Sequence, residues 1–72
     1  MIDIRSSTIK TWLIERGLSI ADFCRLSGLA YGSLYNQLQK DVARISFPTA
    51  HRICRELNIE PAELLKDGER VG

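Results

Sequence analysis

One glycine does most to constrain how this chain can fold. It sits inside the stretch SIADFCRLSGLAYGSLYNQL, residues 19–38. Before Gly28 lies a short amphipathic segment with Phe23, Cys24 and Leu26 on or near one face. After it, Leu29 leads into a second segment, where Leu34 and Leu38 stand four apart. That spacing puts both leucines on one side of a helix. Gly at the break suits a left-handed backbone that other residues reach only at a cost. Two helices joined by a turn of three or four residues containing Gly form a helix-turn-helix unit.

The rest of the chain must supply a body for that unit. Its 72 residues are enough for one small domain and no more. We read residues 1–5 as an arm, about 6–65 as the core and 66–72 as a polar tail. No apolar run approaches the ~20 residues of a membrane span. The first ten residues, MIDIRSSTIK, lack the charge-then-apolar layout of a secretory signal. Both points lead us to expect a cytoplasmic protein with no membrane partner. Cys24 and Cys54 each fall on the apolar stripe of a predicted helix. They are too few for a disulfide framework, and one histidine, His51, is too few for a zinc site. Reduced thiols acting as small hydrophobes are expected, with no metal and no cofactor.

The formal net charge of +1 hides an asymmetry. Residues 1–55 carry eight basic and four acidic side chains, a net +4; residues 56–72 carry two and five, a net −3. A basic body with an acidic end is a polarised surface.

Along the chain, Ile2 and Ile4 alternate with Asp3 and Arg5, as in a short strand or a partner contact. Ser6 or Ser7 can cap a first helix that runs to about Arg16, with Ile9, Trp12 and Leu13 inward. Gly17 ends it, and Leu18 packs just beyond. Ser19 caps a second helix, Ile20 to Ser27, and Asp22 can answer the free N–H groups there. A third runs from about Tyr31 to Gln39 with Ala30, a poor cap, before it. Residues 40–45 read as a loop. Ser46 caps a fourth helix to Leu57, with Phe47, Ala50, Ile53, Cys54 and Leu57 inward and Pro48 tolerated in its first turn. Asn58 can take a left-handed closing position, and a short fifth helix spans about Pro61 to Leu65. The expected fold is all-α: five helices around one core, with no sheet.

In this order the pieces resemble the Cro/lambda-repressor family of helix-turn-helix regulators, the xenobiotic-response-element type. The resemblance covers about residues 6–65. It is carried by GLS at 17–19, SGL at 27–29, SLYNQL at 33–38 and RICRELNIEPAELL at 52–65. It implies sequence-specific binding to double-stranded operator DNA, commonly as a homodimer, to control transcription. The family's base-reading positions match Tyr31, Gly32, Tyr35 and Asn36. Its phosphate-contacting places match Ser19, Ser33, Lys40, Arg44 and Ser46. The chain departs from the pattern where Ile20 replaces a frequent Gln, Ala30 a hydroxyl cap, Cys24 a common Ala, and Gln37 an often apolar residue.

The residues themselves support that assignment. With Leu34 and Leu38 inward, Tyr31, Tyr35, Asn36 and Gln39 point outward. From Leu26 to Gln39 no side chain is formally charged. Such a face can lie on base edges without burying an unpaired charge. Asn36 can pair with adenine N6 and N7, and a Tyr ring can meet a thymine methyl. We therefore expect a small DNA-binding repressor, Cro-like or antitoxin-like, bacterial or phage-encoded. Its second reading is a protein-interaction module on the same fold, an antirepressor or antitoxin docking a protein. No constellation of catalytic residues and no small-molecule site is legible, so an enzyme is not expected. Candidate dimer contacts are Asn58 to Leu65, or Ile2 and Ile4 in the arm.

Overall fold

A computed structural model describes residues 1–64. The order is β1 (Ile2–Arg5), α1 (Ser6–Glu15), α2 (Ile20–Ser27), α3 (Tyr31–Leu38), β2 (Val42–Ile45) and α4 (Phe47–Leu57). Residues 61–64 are again helical, which agrees with the expected fifth helix; its last residue, Leu65, and the tail lie outside the described residues.

The helix ends form where the local chemistry dictates. Gly17, at φ 67°, closes α1. Its N–H donates to the Ile14 carbonyl at 3.0 Å and the Leu18 N–H to the Leu13 carbonyl at 2.9 Å, the paired bonds of a Schellman end. α2 opens with a reciprocal capping box. The Asp22 N–H donates to Ser19 Oγ at 3.0 Å, and the Ser19 N–H donates to Asp22 Oδ2 at 3.3 Å. Gly28, at φ 78°, ends α2 in the left-handed conformation, and Asn58 does the same for α4 at φ 55°. Two arginines reach across to the C-terminal ends of helices. Arg52 donates to the Ser27 carbonyl at 3.1 Å and Arg16 to the Leu57 carbonyl at 2.8 Å. Each puts a cation at the negative end of a helix dipole.

The all-α expectation is corrected by a two-stranded antiparallel sheet. Ile2 pairs with Ile45, Asp3 with Arg44, Ile4 with Ala43 and Arg5 with Val42. The segment read as a loop, 40–45, therefore holds a strand. The cause is burial on one face: Ile4, Ala43 and Ile45 join the core, while Arg5 and Arg44 face outward. The strand also replaces the expected cap of α1. Arg5 is the N-cap and its side chain makes no capping bond. Ser6 is instead buried, its N–H on the Asp41 carbonyl at 2.9 Å and its hydroxyl donating to the Gln37 carbonyl at 3.3 Å. Because Ile4 is sealed inside its own protomer, it is unavailable as the arm contact of a dimer.

One core takes Ile4, Ile9, Leu13, Phe23, Cys24, Leu34, Leu38, Ile53, Cys54 and Leu57, with Ile59 and Leu64 from the C-terminal end. Trp12, Leu18, Ile20 and Leu29 pack at its margin. Both cysteines are free and buried, and burial pushes both thiols up from their ordinary pKa. Two expected inward residues lie outside. Phe47 is 65% exposed, because as the first residue of α4 it projects off the end of the stripe that begins at Ala50. Leu26 is exposed because the buried side of α2 follows Ile20, Phe23 and Cys24.

If the first strand is part of the core, Ile4→Ala should destabilise the domain by about 2–5 kcal/mol. Ile14→Ala, at a site 76% exposed, should cost little by the same urea titration. Equal, small effects would mean that the arm is dispensable. Acid should weaken the fold in a specific window. Hydrogen bonds from the Ser19 side chain and then its backbone N–H, with the Arg25 charge beside them, hold the Asp22 carboxyl below the ordinary 3.8. A carboxyl depressed by folding stabilises above its unfolded pKa and loses that contribution as pH falls through the folded one. Stability should therefore drop below about pH 4, and Asp22→Asn should flatten that limb in denaturant titrations.

Candidate functional site

The outer side of α3 is built by what its inner side must do. Leu34 and Leu38 are buried, which turns Tyr31, Gly32, Tyr35, Asn36 and Gln39 to solvent. Tyr31 and Tyr35 are 49% and 41% exposed. One helical turn apart, they stack on each other with ring centroids 5.6 Å apart and planes inclined by 22°. The stacked pair and Asn36 lie on the same exposed side of α3. Gly32 has no structural duty here: a Cβ built on it meets nothing within 4 Å. The N-cap residue Ala30 supplies no side-chain acceptor to the first turn of α3. All four residues expected to face bases thus share one exposed, uncharged surface.

The five residues expected at phosphates are distributed around that surface. Ser33, Arg44 and Ser46 line a depression of about 500 Å³ together with Asn36 and Thr49, between α3 and the start of α4. Lys40 lines a second depression of about 460 Å³, which it shares with Arg44, Asp3 and Gln37. Ser19 stands apart from both, exposed at the start of α2 and engaged in its capping box. The Ser46 hydroxyl accepts from the Thr49 N–H at 3.3 Å and donates to Thr49 Oγ1 at 3.0 Å. Pro48 has no N–H, and the Ala50 N–H is bound to the Ser46 carbonyl at 2.9 Å. The first turn of α4 therefore uses most of its donors internally, unlike that of α3.

Arg44 is paired with an acid of the neighbouring strand. Its Nε donates to Asp3 Oδ1 at 3.0 Å and its Nη2 to Asp3 Oδ2 at 3.5 Å. The Arg44 hydrogen bond, and then its charge, hold the Asp3 carboxyl below the ordinary aspartate range, and the same pairing raises the arginine. Both groups are exposed, so the pair contributes little to stability.

Gln37 was not among the expected site residues. Its Oε1 accepts from the Arg44 N–H at 3.0 Å, on the strand side away from β1. Its carbonyl accepts from Ser6. One residue thus ties α3 to β2 and to the start of α1. The only sequence signal was a polar side chain at a place where relatives carry an apolar one. Ile20, which replaces a frequent Gln, is half-buried and packs on the core.

Among the described residues no cluster of His, Cys, Asp or Glu is arranged to hold a metal ion. No described helix is long and apolar enough to cross a membrane. No curated protein matches the chain, and no solved structure does. A family model does: the Cro/C1-type HTH DNA-binding domain, over residues 8–68. That span takes in α2, the Gly28 corner, α3 and the helices that hold them, and the chain belongs to the Cro/C1-type helix-turn-helix DNA-binding family.

Proposed function

We propose that this protein is a small transcriptional repressor, Cro-like or antitoxin-like, that inserts α3 into the major groove of an operator. The observation that carries the reading is the outer face of α3: uncharged, exposed, and bearing two stacked tyrosines and an amide. A groove floor offers acceptors, donors and thymine methyls, which suit amide and aromatic groups better than charges. Asn36 is the adenine reader in this account, with its carbonyl on N6 and its amide on N7. Tyr31 and Tyr35 supply apolar contact and a hydroxyl each. Gly32 allows the helix backbone to come close.

Ser19, Ser33, Lys40, Arg44 and Ser46 hold the sugar-phosphate backbone on either side. The unsatisfied N–H groups at the start of α3, where Ala30 brings no cap, suit a phosphate oxygen. Residues 1–72 act as one domain, and two copies bind half-sites about 34 Å apart, one helical turn. Occupancy alone then blocks polymerase, with no cofactor and no chemistry.

Selection of bound sequences from a random duplex pool tests the reading. An enriched, palindromic motif is expected; a pool that stays random would contradict it. Against the selected duplex, Asn36→Ala should cost roughly 1–3 kcal/mol and relax preference at one base position. Lys40→Ala should weaken all sequences alike and lower the salt slope by about one. Gly32→Ala separates binding from folding. It should raise helix stability by up to about 1 kcal/mol, yet weaken binding to the duplex. A variant that gains stability and binds as well as the parent would show that α3 makes no close approach.

A further inference from the structure

Arg44 lines both depressions beside α3. Its backbone N–H is pinned by Gln37 and its side chain by Asp3. The Asp3 carboxylate meets the guanidinium through Nε and Nη2. A guanidinium has five N–H groups, so this grip leaves three, two on Nη1 and one on Nη2. Those three include the end-on fork, whose spacing matches two oxygens of one phosphate. Asp3 in turn is held by its strand, because it pairs with Arg44 in register and is followed by the buried Ile4. The arginine is therefore fixed in direction from both ends while most of its side chain stays in solvent.

An exposed ion pair does little for stability, so the fold gives no strong reason for this arrangement. An acid beside a phosphate-binding surface should also repel the ligand. Both points are resolved if the carboxylate aims the arginine. We propose that Asp3 is a positioning residue for DNA: it holds Arg44 with its free fork outward, to take a backbone phosphate next to the groove that α3 enters. The inference rests on the DNA-binding reading above and adds to it a residue that touches no DNA itself.

The test is a double-mutant cycle, with Asp3→Asn, Arg44→Ala and both together, on a fluorescent duplex from the selection. Melting curves are taken alongside to confirm that each variant folds. Asp3→Asn makes the protein more positive, so simple electrostatics predicts tighter binding. Positioning predicts the reverse: binding weaker by roughly three- to tenfold. It also predicts no further loss from Asp3→Asn once Arg44 is alanine. Arg44→Ala should lower the salt slope by about one, whereas Asp3→Asn should leave it unchanged, since no phosphate-neutralising charge is lost. Unchanged or tighter binding by Asp3→Asn overturns the proposal. So does an equal loss in the alanine background, and so does an Arg44→Ala variant that binds like the parent. If the parent protein bound no duplex at all, the DNA-binding reading itself would fall, and this proposal with it.

Discussion

The left-handed corner at Gly28 is the constraint on which the rest depends. α2 and α3 are eight residues each, too short to be stable alone in water. They persist because the corner lets Phe23 and Cys24 on one and Leu34 and Leu38 on the other share a core. A β-carbon at residue 28 would be strained by the backbone and would meet Arg52 Nη1 at 3.2 Å. The same arginine bonds the Ser27 carbonyl, so the corner is braced from α4 as well as allowed by the glycine. With the crossing fixed, the outer face of α3 stays exposed among the described residues, and its composition decides what it can meet.

A second device locks the other side of α3. The sheet of β1 and β2 buries Ile4, Ala43 and Ile45, and Gln37 fastens α3 to the outer edge of β2. Through Ser6 the same glutamine joins the start of α1. The N-terminal five residues thus do two things a mobile arm would not. They complete the core through Ile4, and they bring an acid to Arg44. Rigid support close to a reading surface lowers the ordering cost of binding, which favours discrimination between sequences.

Much of this was legible in the residues, and the reasons are local. Ser19 and Asp22 stand at the spacing of a capping box, Gly17, Gly28 and Asn58 at left-handed ends, and Leu34 with Leu38 at helical spacing. Each signal lies within a few positions of what it specifies. The outward direction of Tyr31, Tyr35 and Asn36 followed from the same periodicity. The sheet was hidden because its strands are four residues each, and pairing between residues 2 and 45 leaves no local trace. Alternation in the first strand was visible; its partner read as a loop. The cap of α1 failed for the same reason, since a strand running straight into a helix turns Ser6 inward. Phe47 misled because hydrophobic spacing does not register that a helix's first residue hangs beyond its packed face.

The most direct test of the account is amide chemical-shift mapping as the selected duplex is titrated into the labelled protein. Shifts concentrated at residues 30–36 and at Arg44, with the outer side of α1 around Lys10 and Ile14 silent, are what a groove-seated α3 predicts. Shifts centred on α1, with Tyr31, Tyr35 and Asn36 unmoved, would contradict it.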